Sequence, residues 1–151
     1  DRVTAIGPFG DFHIKPTRKE AVYIGGGAGM APLRAHLSHL FETEKTARRV
    51  SFWYGARSRR ELYYIDYFKA LANEHANFDF HMALSEALES DLWESHTGYI
   101  HQVLRKEFLE KTPDPEKKEY YVCGPPQMVH AVSELLQEYR VPGEQVSYDE
   151  F

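Results

Sequence analysis

Ala21-Val22-Tyr23-Ile24-Gly25-Gly26-Gly27-Ala28-Gly29-Met30-Ala31-Pro32-Leu33-Arg34 is the stretch on which the fold turns. A short apolar run rich in β-branched and aromatic side chains leads straight into consecutive glycines. An amphipathic pattern follows, with Leu33, Leu37, Leu40 and Phe41 on one face. Strand, tight glycine turn and helix make a βα unit. Pro32 suits the first helical turn, where its missing N–H costs nothing. The pattern predicts a helix from about Pro32 to Thr43.

Working outward, the alternation repeats. Val50-Ser51-Phe52-Trp53-Tyr54 ends at Gly55, and a helix over about Glu61 to Glu74 is expected next. The run Phe78 to Leu84 is followed by a loop and a helix over about Ile100 to Glu110. Glu119-Tyr120-Tyr121-Val122-Cys123 ends at Gly124-Pro125-Pro126, before a helix over about Gln127 to Tyr139. A last strand spans Gln145 to Tyr148. The order β-α-β-α-β-α-β-α-β predicts an α/β fold with a parallel, five-stranded sheet, right-handed crossovers and helices on both faces, a three-layer α/β/α arrangement. Residues 17–151 are expected to form this unit. Residues 1–16 read as the tail of a preceding one, with a turn over Gly7-Pro8-Phe9-Gly10-Asp11-Phe12-His13. The opening Asp1-Arg2-Val3-Thr4 has no initiator methionine, so an excised piece of a longer protein is expected.

Composition narrows the function classes. The chain has 151 residues, enough for one compact domain, with 42% hydrophobic and 27% charged residues. Its net charge of −5 and lack of a basic stripe argue against a nucleic-acid partner, because phosphate binding needs clustered Lys and Arg. The single cysteine, Cys123, excludes an intramolecular disulfide and a cysteine-ligated iron–sulfur cluster within this chain. No apolar run approaches the ~18–20 residues that cross a bilayer, and no signal peptide opens the chain, so the piece is expected to be soluble. His36 and His39 share a helix face, but no third ligand follows by spacing, and no metal site is expected. No Gly-x-Ser-x-Gly nucleophile elbow appears.

In an open parallel sheet, ligands bind beyond the carboxyl ends of the strands. The first such loop, Gly25 to Pro32, combines glycine backbone with a helix N-terminus and favours a phosphate or pyrophosphate. Gly25-x-Gly27-x-Gly29 is neither the Rossmann fingerprint nor a Walker A loop. The bland reading is a tight turn. The second loop holds Gly55-Ala56-Arg57-Ser58-Arg59-Arg60-Glu61-Leu62. There Ser58 is a helix cap or a ligand contact, and an arginine is solvated surface or a phosphate contact. The third begins Ser85-Glu86, and the fourth Cys123-Gly124-Pro125-Pro126-Gln127-Met128. Cys123 is either a small buried residue or a ligand-side one.

These residues carry a resemblance. The loop ending Ala31-Pro32-x-Arg34 resembles the pyrophosphate loop of the ferredoxin–NADP reductase superfamily. Tyr54-Gly55-Ala56-Arg57 resembles its second-strand motif, and Tyr121-Val122-Cys123-Gly124-Pro125-Pro126-x-Met128 its Cys-Gly motif. Asp149-Glu150-Phe151 resembles its end, where an aromatic ring covers the flavin. Ile24 to Pro32, Ser51 to Ser58 and Tyr120 to Pro126 look like the family of F subunits of sodium-translocating NADH:quinone reductases. Only that family's NADH domain is matched. Gly7-Pro8-Phe9-Gly10-Asp11-Phe12 looks like the closing segment of its FAD domain, while the membrane helix, the iron–sulfur cysteines and the FAD-binding barrel are not matched.

The resemblance implies hydride transfer from NADH to FAD, with FAD held mainly by a preceding domain and a 2Fe-2S cluster only in a full-length protein. Other subunits of a membrane complex become expected partners, at the cytoplasmic side of a bacterial inner membrane. The piece alone should bind nucleotide without retaining FAD or turning over efficiently. The resemblance assigns Gly25, Gly26, Gly27, Ala28, Gly29, Met30, Ala31 and Pro32 to the pyrophosphate loop. Tyr54, Gly55, Arg57 and Ser58 follow strand two. Cys123, Gly124, Pro125 and Met128 lie beside the nicotinamide, and Phe151 stacks on the flavin. NADP-specific relatives carry Ser-Arg where this chain has Ser85-Glu86. A carboxylate there repels a 2′-phosphate and accepts a hydrogen bond from a free 2′-OH, so NADH is expected; the alternative is that Glu86 faces solvent. A soluble oxygenase-type reductase component and a docking domain without nucleotide binding are the rival readings.

Overall fold

The computed structural model describes residues 12–27 and 30–150. Its strands are β1 (Ala21–Gly26), β2 (Val50–Ala56), β3 (Phe78–Leu84), β4 (His96–Thr97), β5 (Glu119–Gly124) and β6 (Val146–Glu150). They form one six-stranded sheet in the order β4-β3-β2-β1-β5-β6. Every neighbouring pair is parallel. The chain winds from β1 toward β4 on one side and through β5 to β6 on the other. The order therefore reverses between β1 and β5, the place where an open α/β sheet leaves a crevice.

The expected five strands are thus six. The added strand, β4, is two residues long and pairs with Ala83 and Leu84. Trp93 Nε1 donates to the His96 carbonyl at 2.6 Å, and Gly98 N to the Leu84 carbonyl at 2.9 Å. Backbone and indole bonds hold this strand, so no apolar alternation marks it.

The helices are α1 (Ala31–Ser38), α2 (Ile65–Glu74), α3 (Ile100–Leu104) and α4 (Pro126–Glu138). Wider π-type turns, His39–Thr43 and Arg105–Leu109, prolong α1 and α3. The helix expected from Glu61 begins only at Ile65. Arg59–Glu61 is a separate 3-10 turn, Leu62 is extended, and Tyr64 is left-handed at φ 62°. The Tyr63 N–H donates to Tyr54 Oη at 2.9 Å, which replaces a helical bond and holds the break.

Alternation along the strands feeds two apolar clusters. Ala21 and Tyr23 join Leu33, Leu37, Phe52 and Phe68 in one cluster. Val22 and Ile24 join Ile100, Val103, Val132 and Leu136 in the other. Both faces of the central strands are covered, which is why they read as continuous apolar runs.

At the amino ends of the strands the sheet is closed. Arg48 and Glu119 are buried and joined at 2.7 Å. Arg48 also donates through Nε to the Lys19 carbonyl at 2.7 Å and through Nη1 to the Lys15 carbonyl at 3.1 Å. Tyr121 Oη accepts from Lys15 N at 3.0 Å. Phe12 stacks on His36, with ring centres 4.7 Å apart, and meets the Tyr121 ring edge-on. The incoming segment is therefore fastened to the sheet by backbone and aromatic contacts together.

Candidate functional site

A cleft of about 830 Å³ opens at the carboxyl ends of β1, β2 and β5. Its size is within the ordinary range of ligand sites. Gly26, Gly27, Gly55 and Ala56 line its floor. Gly26 and Gly55 are register partners. A Cβ on Gly26 would lie 2.6 Å from Met128 Sδ, and one on Gly55 would lie 2.6 Å from Ile100 Cβ. One on Gly124 would meet Met128 Cε at 2.7 Å and the Gly26 carbonyl at 3.3 Å. Three central strands thus carry glycine near their ends, which lets Ile100 at the start of α3 and Met128 in the first turn of α4 pack against their backbone. Gly27 turns the chain with φ 75°, a conformation that favours glycine.

Two helices begin at this end of the sheet without side-chain caps. Met30 and Pro125 stand at the cap positions of α1 and α4, and neither makes a capping hydrogen bond. The first-turn N–H groups of Gln127 and Met128, both lining the cleft, are free of side-chain caps. Uncapped N–H groups and the positive end of the helix dipole suit an anionic ligand.

The far wall carries the charge. The pairing of β2 with β3 continues past their ends, with Ser85 N donating to the Ala56 carbonyl at 3.0 Å and Glu86 N to the Arg57 carbonyl at 2.8 Å. This places Arg57, Ser85 and Glu86 side by side on the cleft. Glu61 accepts from Arg57 Nη2 at 2.7 Å. Tyr99 and His101, whose rings stack with centres 5.8 Å apart, lie beyond them. Burial, then the neighbouring Arg105, hold the His101 imidazole below its ordinary pKa.

Of the residues singled out in the sequence, Gly26, Gly27, Gly55, Arg57, Ser85, Glu86, Pro125 and Met128 meet in this cleft. Gly25 lies under α1, where a Cβ would meet Leu33 Cδ1 at 2.7 Å. Met30 is buried, and Ala31 and Pro32 begin α1. Tyr54 is buried, and burial pushes its phenol up to about 12. Ser58 makes no capping bond; it lines a smaller hollow beside the cleft. Ala28, Gly29 and Phe151 lie outside the described residues, as do Gly7 to Asp11.

Cys123 is fully buried, and burial, followed by the nearby Asp149, pushes its thiol up to about 12. It is therefore a thiol at neutral pH and packs rather than attacks. Its register partner on β6 is Asp149, itself buried, whose carboxyl is raised by desolvation. His36 is engaged with Tyr23 Oη and the Phe12 carbonyl, and His39 with Glu44, so the two do not converge. Tyr63, Tyr99, Ile100, His101 and Ala131 were not singled out in the sequence, and Glu61 and Gln127 stood in the strand-end loops without a role. Tyr99 to His101 follow β4, so the rule of searching after each strand finds them once that strand is seen.

A parallel sheet with a glycine floor at its reversal point and uncapped helix starts defines a nucleotide-binding domain. More particularly, the chain belongs to the family described as the oxidoreductase NAD-binding domain, which matches residues 23–134. Over all of its residues it is 50% identical to the F subunit of the Na(+)-translocating NADH-quinone reductase of Idiomarina loihiensis, and it spans 37% of that relative's length. Among solved structures it is similar to the ferredoxin reductase of carbazole 1,9a-dioxygenase. The identity there is 31% and the TM-score 0.71, with 93% of this chain and 40% of the other covered. It is also similar to an Amycolatopsis cytochrome P450 reductase, at 28% identity and TM-score 0.77, covering 93% and 41%.

Proposed function

We propose that this chain is the NADH domain of a flavoprotein reductase, the electron-input module of a sodium-pumping NADH:quinone oxidoreductase. When bound, NADH supplies the hydride and FAD, held by a preceding domain, receives it. The observation that carries the reading is the cleft at the reversal between β1 and β5, lined by Gly26, Gly27 and Gly55 and by the uncapped start of α4, which fits a dinucleotide. Gly25 to Pro32 form the pyrophosphate loop, and Gly55, Arg57, Ser58, Ser85 and Glu86 form the adenosine side. Cys123, Gly124, Pro125 and Met128 shape the nicotinamide side, and Phe151 covers the flavin. Cys123 acts by packing, and the uncapped Gln127 and Met128 N–H groups orient anionic oxygens.

The identity of 50% over the whole chain favours the quinone reductase over the oxygenase-type component, at 31%. The cleft at the reversal point, with the uncapped start of α4 on it, is the observation against a docking domain without ligand. Residues 17–151 form the NADH domain and residues 1–16 the tail of the FAD domain. The two apolar clusters on alternate strand residues support three-layer packing. No helix among the described residues is long and apolar enough to cross a membrane. A cytoplasmic position beside the other subunits at the inner membrane is part of this proposal, and the relatives' names supply only the Na(+)-translocating NADH-quinone reductase.

Glu86 on the cleft supports NADH over NADPH. In the FAD-containing protein, Glu86→Arg is expected to raise kcat/KM for NADPH relative to NADH. An unchanged ratio removes Glu86 from cofactor choice.

A further inference from the structure

Arg57 is a guanidinium on the cleft wall, where a ribose 2′-phosphate would want one, yet it is already engaged. Glu61, four residues on, accepts from Arg57 at the backbone N (3.1 Å), at Nε (3.2 and 3.3 Å) and at Nη2 (2.7 Å). The fork of the guanidinium and the fork of the carboxylate face each other, the geometry Arg uses for phosphate. The backbone holds the carboxylate there. Arg59–Glu61 is a 3-10 turn, and the Glu61 N–H donates to the Ser58 carbonyl at 3.1 Å. The hydrogen bond from Arg57 and its nearby charge keep the Glu61 carboxyl below its ordinary pKa.

The charge around this wall also counts. Arg57, Glu61 and Glu86 all line the cleft. On the cleft itself that is one positive and two negative side chains, and Arg60 joins the same three around the smaller hollow beside it. With Arg57 held by Glu61, the cleft side of the wall suits a neutral 2′-OH better than a 2′-phosphate, which carries close to two negative charges. The chain has the right cation for NADPH and holds it in an internal pair.

We propose that Glu61 is a second cofactor-specificity residue: by occupying the Arg57 guanidinium it withholds the cation that a ribose 2′-phosphate needs. The inference rests on the NADH reading of the cleft and assigns part of the selectivity to a residue four positions after the second-strand motif. Glu61 acts through Arg57 and Glu86 acts directly, so removing either carboxylate shifts selectivity and removing both shifts it further. The Arg57 side chain is 70% exposed and that of Glu61 31% exposed. Such a pair contributes little to folding, so substitution at Glu61 leaves the fold in place.

The test is calorimetric titration of the full-length protein and its Glu61→Gln variant with four probes at one ionic strength. NADH and NADPH are the physiological pair. 5′-AMP and adenosine 2′,5′-bisphosphate differ only by the 2′-phosphate and isolate it from the nicotinamide end. Glu61→Gln is expected to raise affinity for adenosine 2′,5′-bisphosphate relative to 5′-AMP about tenfold, the scale of one freed charge-assisted contact. The gain should disappear in Arg57→Ala/Glu61→Gln. An unchanged ratio in a variant that still binds NADH overturns the proposal, as does a gain that survives loss of Arg57. Failure of the unsubstituted protein to bind NADH overturns the site reading itself, and the proposal with it.

Discussion

At the carboxyl ends of β1, β2 and β5 the strands carry glycine beside an open cleft, while near the amino ends of the same sheet the chain buries Arg48 and Glu119. Gly26, Gly55 and Gly124 let Met128 and Ile100 pack against their backbone beside the cleft, and Arg48 and Glu119 satisfy each other and two backbone carbonyls. One end is open for a ligand to complete, and the other is complete without one. The contrast teaches that stability and binding are placed apart on this sheet. Strand cores are shared, but each end can be damaged without the other.

Breaking the closed end gives the largest effect. Arg48→Ala strands the Glu119 carboxylate in the interior and is expected to lower unfolding free energy by about 3–5 kcal/mol in urea titration. NADH affinity of the molecules that remain folded should hold. Replacing both partners with methionine should recover most of the loss, because no charge is left buried.

The incoming segment gives the next effect, through pH. His36 sits against Tyr23, Phe12 and Tyr121, and burial lowers its pKa from 6.5 to about 4. The folded state disfavours the imidazolium, so the unfolded chain binds the extra proton first. The stability from neutral His36 is fully present above pH 6.5 and is lost as pH falls through 6.5 toward about 4. The loss over that window is roughly 3 kcal/mol. Denaturation midpoints of His36→Phe should be flatter across it, and an equal slope in the variant would remove His36 as the cause.

Filling the open end should reverse the pattern. Gly26→Ala displaces the Met128 thioether from the floor. Overpacking of this kind costs roughly 1–3 kcal/mol of folding stability, and NADH affinity is expected to fall roughly tenfold because Met128 lines the cleft. The fold should lose less than in Arg48→Ala. The smallest effect belongs to the loop beside the cleft. Tyr54→Phe removes the acceptor of the Tyr63 N–H and should lower stability by about 1 kcal/mol in thermal unfolding.

The open end was legible in the sequence because its signals are local. Glycines at the strand ends, prolines at helix starts and charged residues just past β2 and β3 mark it directly. Eight of the singled-out residues meet in the cleft for that reason. The closed end was not legible: Arg48 and Glu119 are 71 residues apart, and only the sheet brings them together. β4 escaped for a different reason. Two residues held by backbone and indole bonds leave no periodicity, and with β4 went Tyr99 and His101. The late start of α2 depends on Tyr54, a residue on another element, reaching the Tyr63 N–H. Helical spacing continues through Leu62 regardless, so pattern alone extends the helix too far.

The most direct measurement is a titration of the isotopically labelled chain with NADH, followed by amide chemical shifts. The account predicts that Gly26, Gly27, Gly55, Glu86, Gln127 and Met128 shift together with one saturating dependence, while Arg48, Glu119 and Lys15 stay in place. Shifts centred on the Arg48 end, or none at any NADH concentration, would contradict it.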